Sequence, residues 1–234
     1  KFYKPKFWDK RNFNLISLLL LPLSLIVIIK NYYENSKIKK NYYDFRTICV
    51  GNIYIGGTGK TPLVNNLASH FKKKFKTFIV KKNYPSHLDE KRLLESRHKV
   101  IFEKTRLLSL SKAEQEKAEL IIFDDGLQEK IINYDLKIVC FNSMKLDGNG
   151  LVIPAGPLRE RLNSLKDYEI VFINGNINKK SKDFVNIIQK INPDIRTFTG
   201  RYVPKNYANL KRKKFFIFSG IGNPHTFSDT LKGI

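Results

Sequence analysis

A chain of 234 residues is long enough to bury a substantial core in one domain, with room for a smaller second lobe. Its 43 Lys and Arg against 21 Asp and Glu give a formal net charge of +22, which suits nucleic acid, an acidic membrane surface or a phosphorylated lipid, and equally a plain lysine-rich composition. One Trp and few aromatics among the lysine runs argue against a nucleic-acid partner, and two cysteines without a CxxC neighbour exclude zinc and dithiol redox motifs.

Residues 13–29, FNLISLLLLPLSLIVII, are the most apolar run, roughly 17 residues and so at the short end of what spans a bilayer. Residues 31–34, NYYE, offer no signal-peptide cleavage site, and export would carry a nucleotide site away from ATP. The run is apolar on all sides and flanked by cations, so it reads as a membrane-anchor helix rather than a core helix, with Pro22 tolerable inside it. Lys10 and Arg11 before it and Lys30 after it leave open whether it crosses the bilayer or lies half-inserted. Phe2, Tyr3, Phe7 and Trp8 mixed with Lys1, Lys4 and Lys6 suit a headgroup interface. Residues 31–46 read as a basic linker or surface helix.

Next comes an apolar strand over residues 47–50, followed by YIGGTGKT at 54–61 and a helix over 60–71. A strand feeding a glycine-rich turn that opens a helix is the context of a phosphate-binding loop. Tyr54, Ile55, Gly56, Gly57, Thr58, Gly59, Lys60 and Thr61 are thus the expected ATP contacts. Backbone N–H groups cradle phosphates, Lys60 adds a mobile charge, and Thr61 offers a hydroxyl to Mg²⁺. Tyr54 stands where the general pattern has Gly.

Further strands are expected at 77–80, 99–102, 120–123, 137–141, 169–173 and 215–218, and helices at 111–118 and 184–190. The alternation predicts an α/β fold: a P-loop NTPase-like, mostly parallel sheet with helices on both faces. Cys49 and Cys140 fall in apolar strands and read as buried. The strand at 120–123 runs into Asp124 and Asp125, which places carboxylates beside Thr61 for Mg²⁺.

Four segments together resemble the tetraacyldisaccharide 4'-kinase family. They are Val50-Gly51-Asn52 with Gly56-Gly57-Thr58-Gly59-Lys60-Thr61-Pro62; Asp124-Asp125-Gly126-Leu127-Gln128; Ile153-Pro154-Ala155-Gly156-Pro157-Leu158-Arg159-Glu160; and Gly220-Ile221-Gly222-Asn223-Pro224. The resemblance implies ATP-dependent phosphorylation of the 4'-hydroxyl of a tetraacyldisaccharide 1-phosphate, giving lipid IVA. It implies ATP and Mg²⁺, a lipid acceptor, no nucleic acid, a monomer, and a place on the cytoplasmic face of the bacterial inner membrane. It also accounts for Tyr54, because the family lacks that first Gly.

By the same resemblance Asp89 corresponds to the catalytic base and Glu90 to a metal helper, although Leu88 replaces the motif's Gly and only Tyr84 survives upstream. Arg159 and Gln128 are candidate substrate or phosphate contacts, Arg159 alternatively a structural ion pair. Glu129 stands in place of the family's His. Residues 1–46 then form anchor and linker, 47–210 the kinase core, and 211–234 the start of a C-terminal lobe. The family continues past this point, so a C-terminally truncated chain is expected; His225 reads as a loop residue.

A GTPase would need Asn-Lys-x-Asp, and residues 178–181, NKKS, lack the Asp. Positioning ATPases carry a Lys where this chain has Ile55. The remaining alternative is a membrane-associated P-loop ATPase acting as a switch or positioning module.

Overall fold

The computed structural model describes residues 4–10, 14–35, 43–82, 88–129, 131–203 and 216, with the side chains of residues 35, 88–90 and 93 outside that description. Helix α1 (Leu15–Asn35) is followed by β1 (Arg46–Gly51), α2 (Lys60–Phe71), β2 (Thr77–Lys82), α3 (Leu88–Glu95), β3 (Lys99–Glu103), α4 (Arg106–Gln115) and β4 (Leu120–Asp124). The second half holds β5 (Leu136–Asn142), β6 (Ile170–Asn174), α5 (Lys179–Ile191) and β7 (Arg196–Gly200).

Among the described residues, seven strands form one sheet in the order β3-β2-β4-β1-β5-β6-β7, with each of these strand pairs parallel. Strands buried on both faces read as continuous apolar runs, which is why 120–123 was legible. β1 is central, between β4 and β5, so the loop leaving it opens at the carboxyl edge where ligands gather in such sheets. Two apolar clusters lie on the sheet, one around Phe123, Phe141 and Phe184, the other around Val64, Ile79 and Ile122. Cys49 and Cys140 are fully buried; burial pushes the Cys49 thiol up to about 12 and Cys140 also up.

Several boundaries differ from expectation. α4 begins at Arg106, not at 111, because Thr105 caps it by accepting the Leu108 N–H at 3.3 Å. α5 begins at Lys179, with Asn178 accepting the Ser181 N–H at 2.9 Å. The Asn of the NKKS string is therefore a helix cap. β7 was not expected: at the sheet edge its pattern is largely exposed, and Phe198 is its one large apolar residue. The strand expected at 215–218 and the 220–224 segment lie outside the described residues, apart from Phe216.

α1 continues beyond the apolar run to Asn35. It is long and apolar enough to cross a membrane by length and composition, with mean hydropathy 2.0 over Leu15–Glu34. It nevertheless touches the core along one stripe. Ser17, Ser24 and Asn31, seven residues apart, share a face. Ser24 Oγ donates to Val152 O at 2.8 Å and accepts from Ala155 N at 3.2 Å, while Asn31 Nδ2 donates to Arg159 O at 2.8 Å. Asn149 Nδ2 reaches Ser17 Oγ at 3.4 Å, and Val27 and Ile28 pack on the larger core cluster. The opposite face leaves Leu15, Leu19, Leu25 and Ile26 more than half exposed.

Candidate active site

The loop from β1 to α2 turns on glycines that no other residue replaces without strain. Gly56 and Gly59 have φ of 134° and 86°, and a Cβ on Gly59 would meet Asn174 Nδ2 at 2.1 Å. Thr58 is 1% exposed, and its Oγ1 has no hydrogen-bond partner among the described residues. An orphaned buried hydroxyl within a glycine cradle at a helix N-terminus fits a phosphate-bearing ligand. Tyr54 departs from expectation. Its side chain is 2% exposed and turned inward, where its hydroxyl donates to Asp9 Oδ1 at 2.5 Å and accepts from Lys4. It is a wall of the loop, and its side chain is not open to a nucleotide.

Sheet register brings the acids to the loop. Val50 on β1 is registered with Asp124 on β4. Thr61 Oγ1 then donates to Asp124 Oδ2 at 3.0 Å. Asp125 follows at φ 68°, which swings its carboxylate away from the strand and to within 3.6 Å of Lys60 Nζ. Among the described residues no group of three or more His, Cys, Asp or Glu is placed to hold a metal. A hydroxyl paired with one carboxylate is nevertheless what Mg²⁺ uses when nucleotide phosphates supply further oxygens, so Thr61 and Asp124 fit it.

A closed ring of contacts joins three sequence segments. Lys60 Nζ donates to Asn52 Oδ1 at 3.0 Å, and Asn52 O accepts from Gln128 Nε2 at 2.8 Å. Gln128 Oε1 accepts from Arg159 Nη1 at 2.8 Å, and the same Nη1 lies 3.4 Å from Asp125 Oδ1. Asp125 returns to Lys60. The Arg159 loop is fastened to the phosphate loop by Ile55 N to Pro157 O at 2.9 Å and Arg159 N to Ile53 O at 2.6 Å. The ring joins Arg159 and Gln128 to Lys60 through Asp125 and Asn52, and for Arg159 it realises the structural ion pair, with Asp125 at 3.4 Å.

The sequence assigned no site role to Asn52, which it showed only as part of a motif, nor to Asn174, Lys81 and Arg106. Arg106 is 7% exposed, donates through Nε to Glu129 Oε2 at 2.8 Å, and donates through Nη2 to the Asp125 carbonyl. It braces the turn that carries Asp125, and Glu129 is its anchor. Arg106→Leu is expected to lower stability by about 2 kcal/mol, read as a shift of the urea midpoint, because hydrogen bonds to charged groups are lost. Asp89 and Glu90 fall in the first turn of α3, and their side chains lie outside the description.

A phosphate loop at the end of the central strand, with the next strand's carboxylate on its threonine, defines a P-loop nucleotide-binding protein. The sequence profile of the tetraacyldisaccharide-1-P 4'-kinase family matches residues 16–234. A tetraacyldisaccharide 4'-kinase of Pelagibacter ubique is 45% identical over 99% of this chain and 74% of its own length, and one of Rickettsia canadensis is 38% identical over the same shares. LpxK of Aquifex aeolicus, solved in complex with ATP, superposes with a TM-score of 0.68 at 23% identity, covering 94% of this chain and 78% of that one. The chain belongs to the tetraacyldisaccharide 4'-kinase family.

Proposed function

We infer that this protein is an ATP-dependent kinase that phosphorylates the 4'-hydroxyl of tetraacyldisaccharide 1-phosphate, giving lipid IVA. The observation that carries the reaction class is the Thr61 to Asp124 contact at 3.0 Å beneath the phosphate loop. Family membership carries the acceptor.

In this proposal residues 55–61 bind the triphosphate of ATP through loop amides and the α2 N-terminus. Tyr54 contributes backbone and wall. Lys60 neutralises charge on the transferring phosphoryl group, where preorganised charge counts most. Thr61 and Asp124 would hold Mg²⁺, with Asp125 and Glu90 assisting; when bound, the ion offsets charge on the β- and γ-phosphates. Asp89 accepts the proton of the sugar hydroxyl as its oxygen bonds to the γ-phosphorus and the bond to the β-bridging oxygen breaks, releasing ADP. Arg159, steadied by Gln128 and Asp125, presents positive charge to a phosphate of either substrate.

The exposed apolar face of α1 and the net charge of +22 support a site on an acidic membrane, at the cytoplasmic face of the bacterial inner membrane. Residues 1–46 serve as anchor and linker, 47–210 as kinase core, and 211–234 as the start of a further lobe, with the protein acting as a monomer. The test is incubation with γ-labelled ATP and the disaccharide lipid, followed by thin-layer separation: label moves to the lipid, and label released only as inorganic phosphate would refute the kinase.

A further inference from the structure

β2 ends in two lysines, and register sets the first, Lys81, opposite Asp124 on β4. Registered partners on adjacent strands project to the same face, so this pairing follows from the backbone as well as from a rotamer. Lys81 Nζ lies 2.7 Å from Asp124 Oδ2, with side-chain exposures of 11% and 1%. That oxygen also accepts the Thr61 hydroxyl. An ammonium thus stands on the carboxylate oxygen of the Thr61–Asp124 pair.

We propose that Lys81 is an internal counter-cation of Asp124 that competes with the divalent metal for this carboxylate, so that the metal enters only together with the polyphosphate of ATP. Two cations on one oxygen repel strongly where water is largely excluded. By displacing the ammonium a bare divalent ion gains the Thr61 hydroxyl and the Asp124 carboxylate but no phosphate oxygens. A metal–triphosphate complex brings its own oxygen ligands and negative charge, and the long, flexible lysine can shift onto a phosphate oxygen. Asp124 then never stands as an uncompensated buried charge. The inference rests on the proposed metal role of Thr61 and Asp124.

The test measures Mn²⁺ binding to the protein without nucleotide, from the electron paramagnetic resonance signal of free Mn²⁺. Lys81→Met is expected to bind Mn²⁺ at least about tenfold tighter than wild type, because no cation has to be displaced. It should also gain thermal stability on Mn²⁺ addition where wild type does not. Lys81→Arg keeps the charge and should remain as weak as wild type. Lys81→Gln serves if the Met variant does not fold. Mn²⁺ binding by the neutral variants no tighter than wild type would overturn the competition. Asp124→Asn, titrated with Mn²⁺ and a non-hydrolysable ATP analogue, separates the two levels. Unchanged Mn²⁺ retention there would overturn the metal pair itself, while weakened retention with no gain in Lys81→Met would overturn only the role of Lys81.

Discussion

Lys60→Ala is expected to lower turnover by about a thousandfold or more, with the global fold intact. The Lys60 side chain is 15% exposed and held at 3.0 Å from Asn52 Oδ1 and 3.6 Å from Asp125 Oδ2. In the proposed reaction its charge is preorganised beside the transferring γ-phosphoryl group, and removing one such group costs about 10²–10³ in rate even for a neutral donor. Lys60→Arg should recover little, because a planar guanidinium does not replace a compact ammonium held between two oxygens. Initial-rate kinetics against ATP check this. Turnover within threefold of wild type would place Lys60 away from the transferring phosphate.

The second large effect concerns backbone. Gly59→Ala is expected to weaken ATP binding about a hundredfold. An L-residue at a left-handed φ costs about 1–2 kcal/mol, roughly tenfold alone. At Gly59 the added Cβ would also meet Asn174 Nδ2 at 2.1 Å and Cγ at 2.8 Å, so the loop or Asn174 must move. Asn174→Ala in the same chain removes the two closest contacts, keeps only its Cβ at 3.3 Å and leaves the backbone term, so the double variant should recover about half of the lost binding energy. Titration with a fluorescent ATP analogue reads both variants. Equal affinity of Gly59→Ala and wild type would mean that the loop does not approach the phosphates through Gly59.

Features carried by contiguous residues were legible in the sequence. The phosphate loop, the Asp124-Asp125 strand end and the segment at 153–160 each combine local geometry with composition. Six of the seven described strands were expected within one or two residues, because buried parallel strands are short apolar runs. Contacts set by register were not legible. Lys81 meets Asp124 only because β2 and β4 are neighbours, and nothing in KKNYP announces it. Asn174 reaches Gly59 because β6 ends at the same edge as β1. The serines and asparagine of α1 were overlooked for a different reason. In an apolar run they look incidental, yet their seven-residue spacing sets them against the 149–159 segment.

In the proposed reaction ATP is consumed to phosphorylate a lipid, and stoichiometry tests this directly. ADP formed and phosphate added to the disaccharide lipid are measured in one reaction, with the product weighed by mass spectrometry. One phosphate gained per lipid and one ADP per product are expected, with neither formed by Lys60→Ala. ADP production with no phosphorylated lipid would contradict the kinase assignment and leave a nucleotide-driven switch in its place.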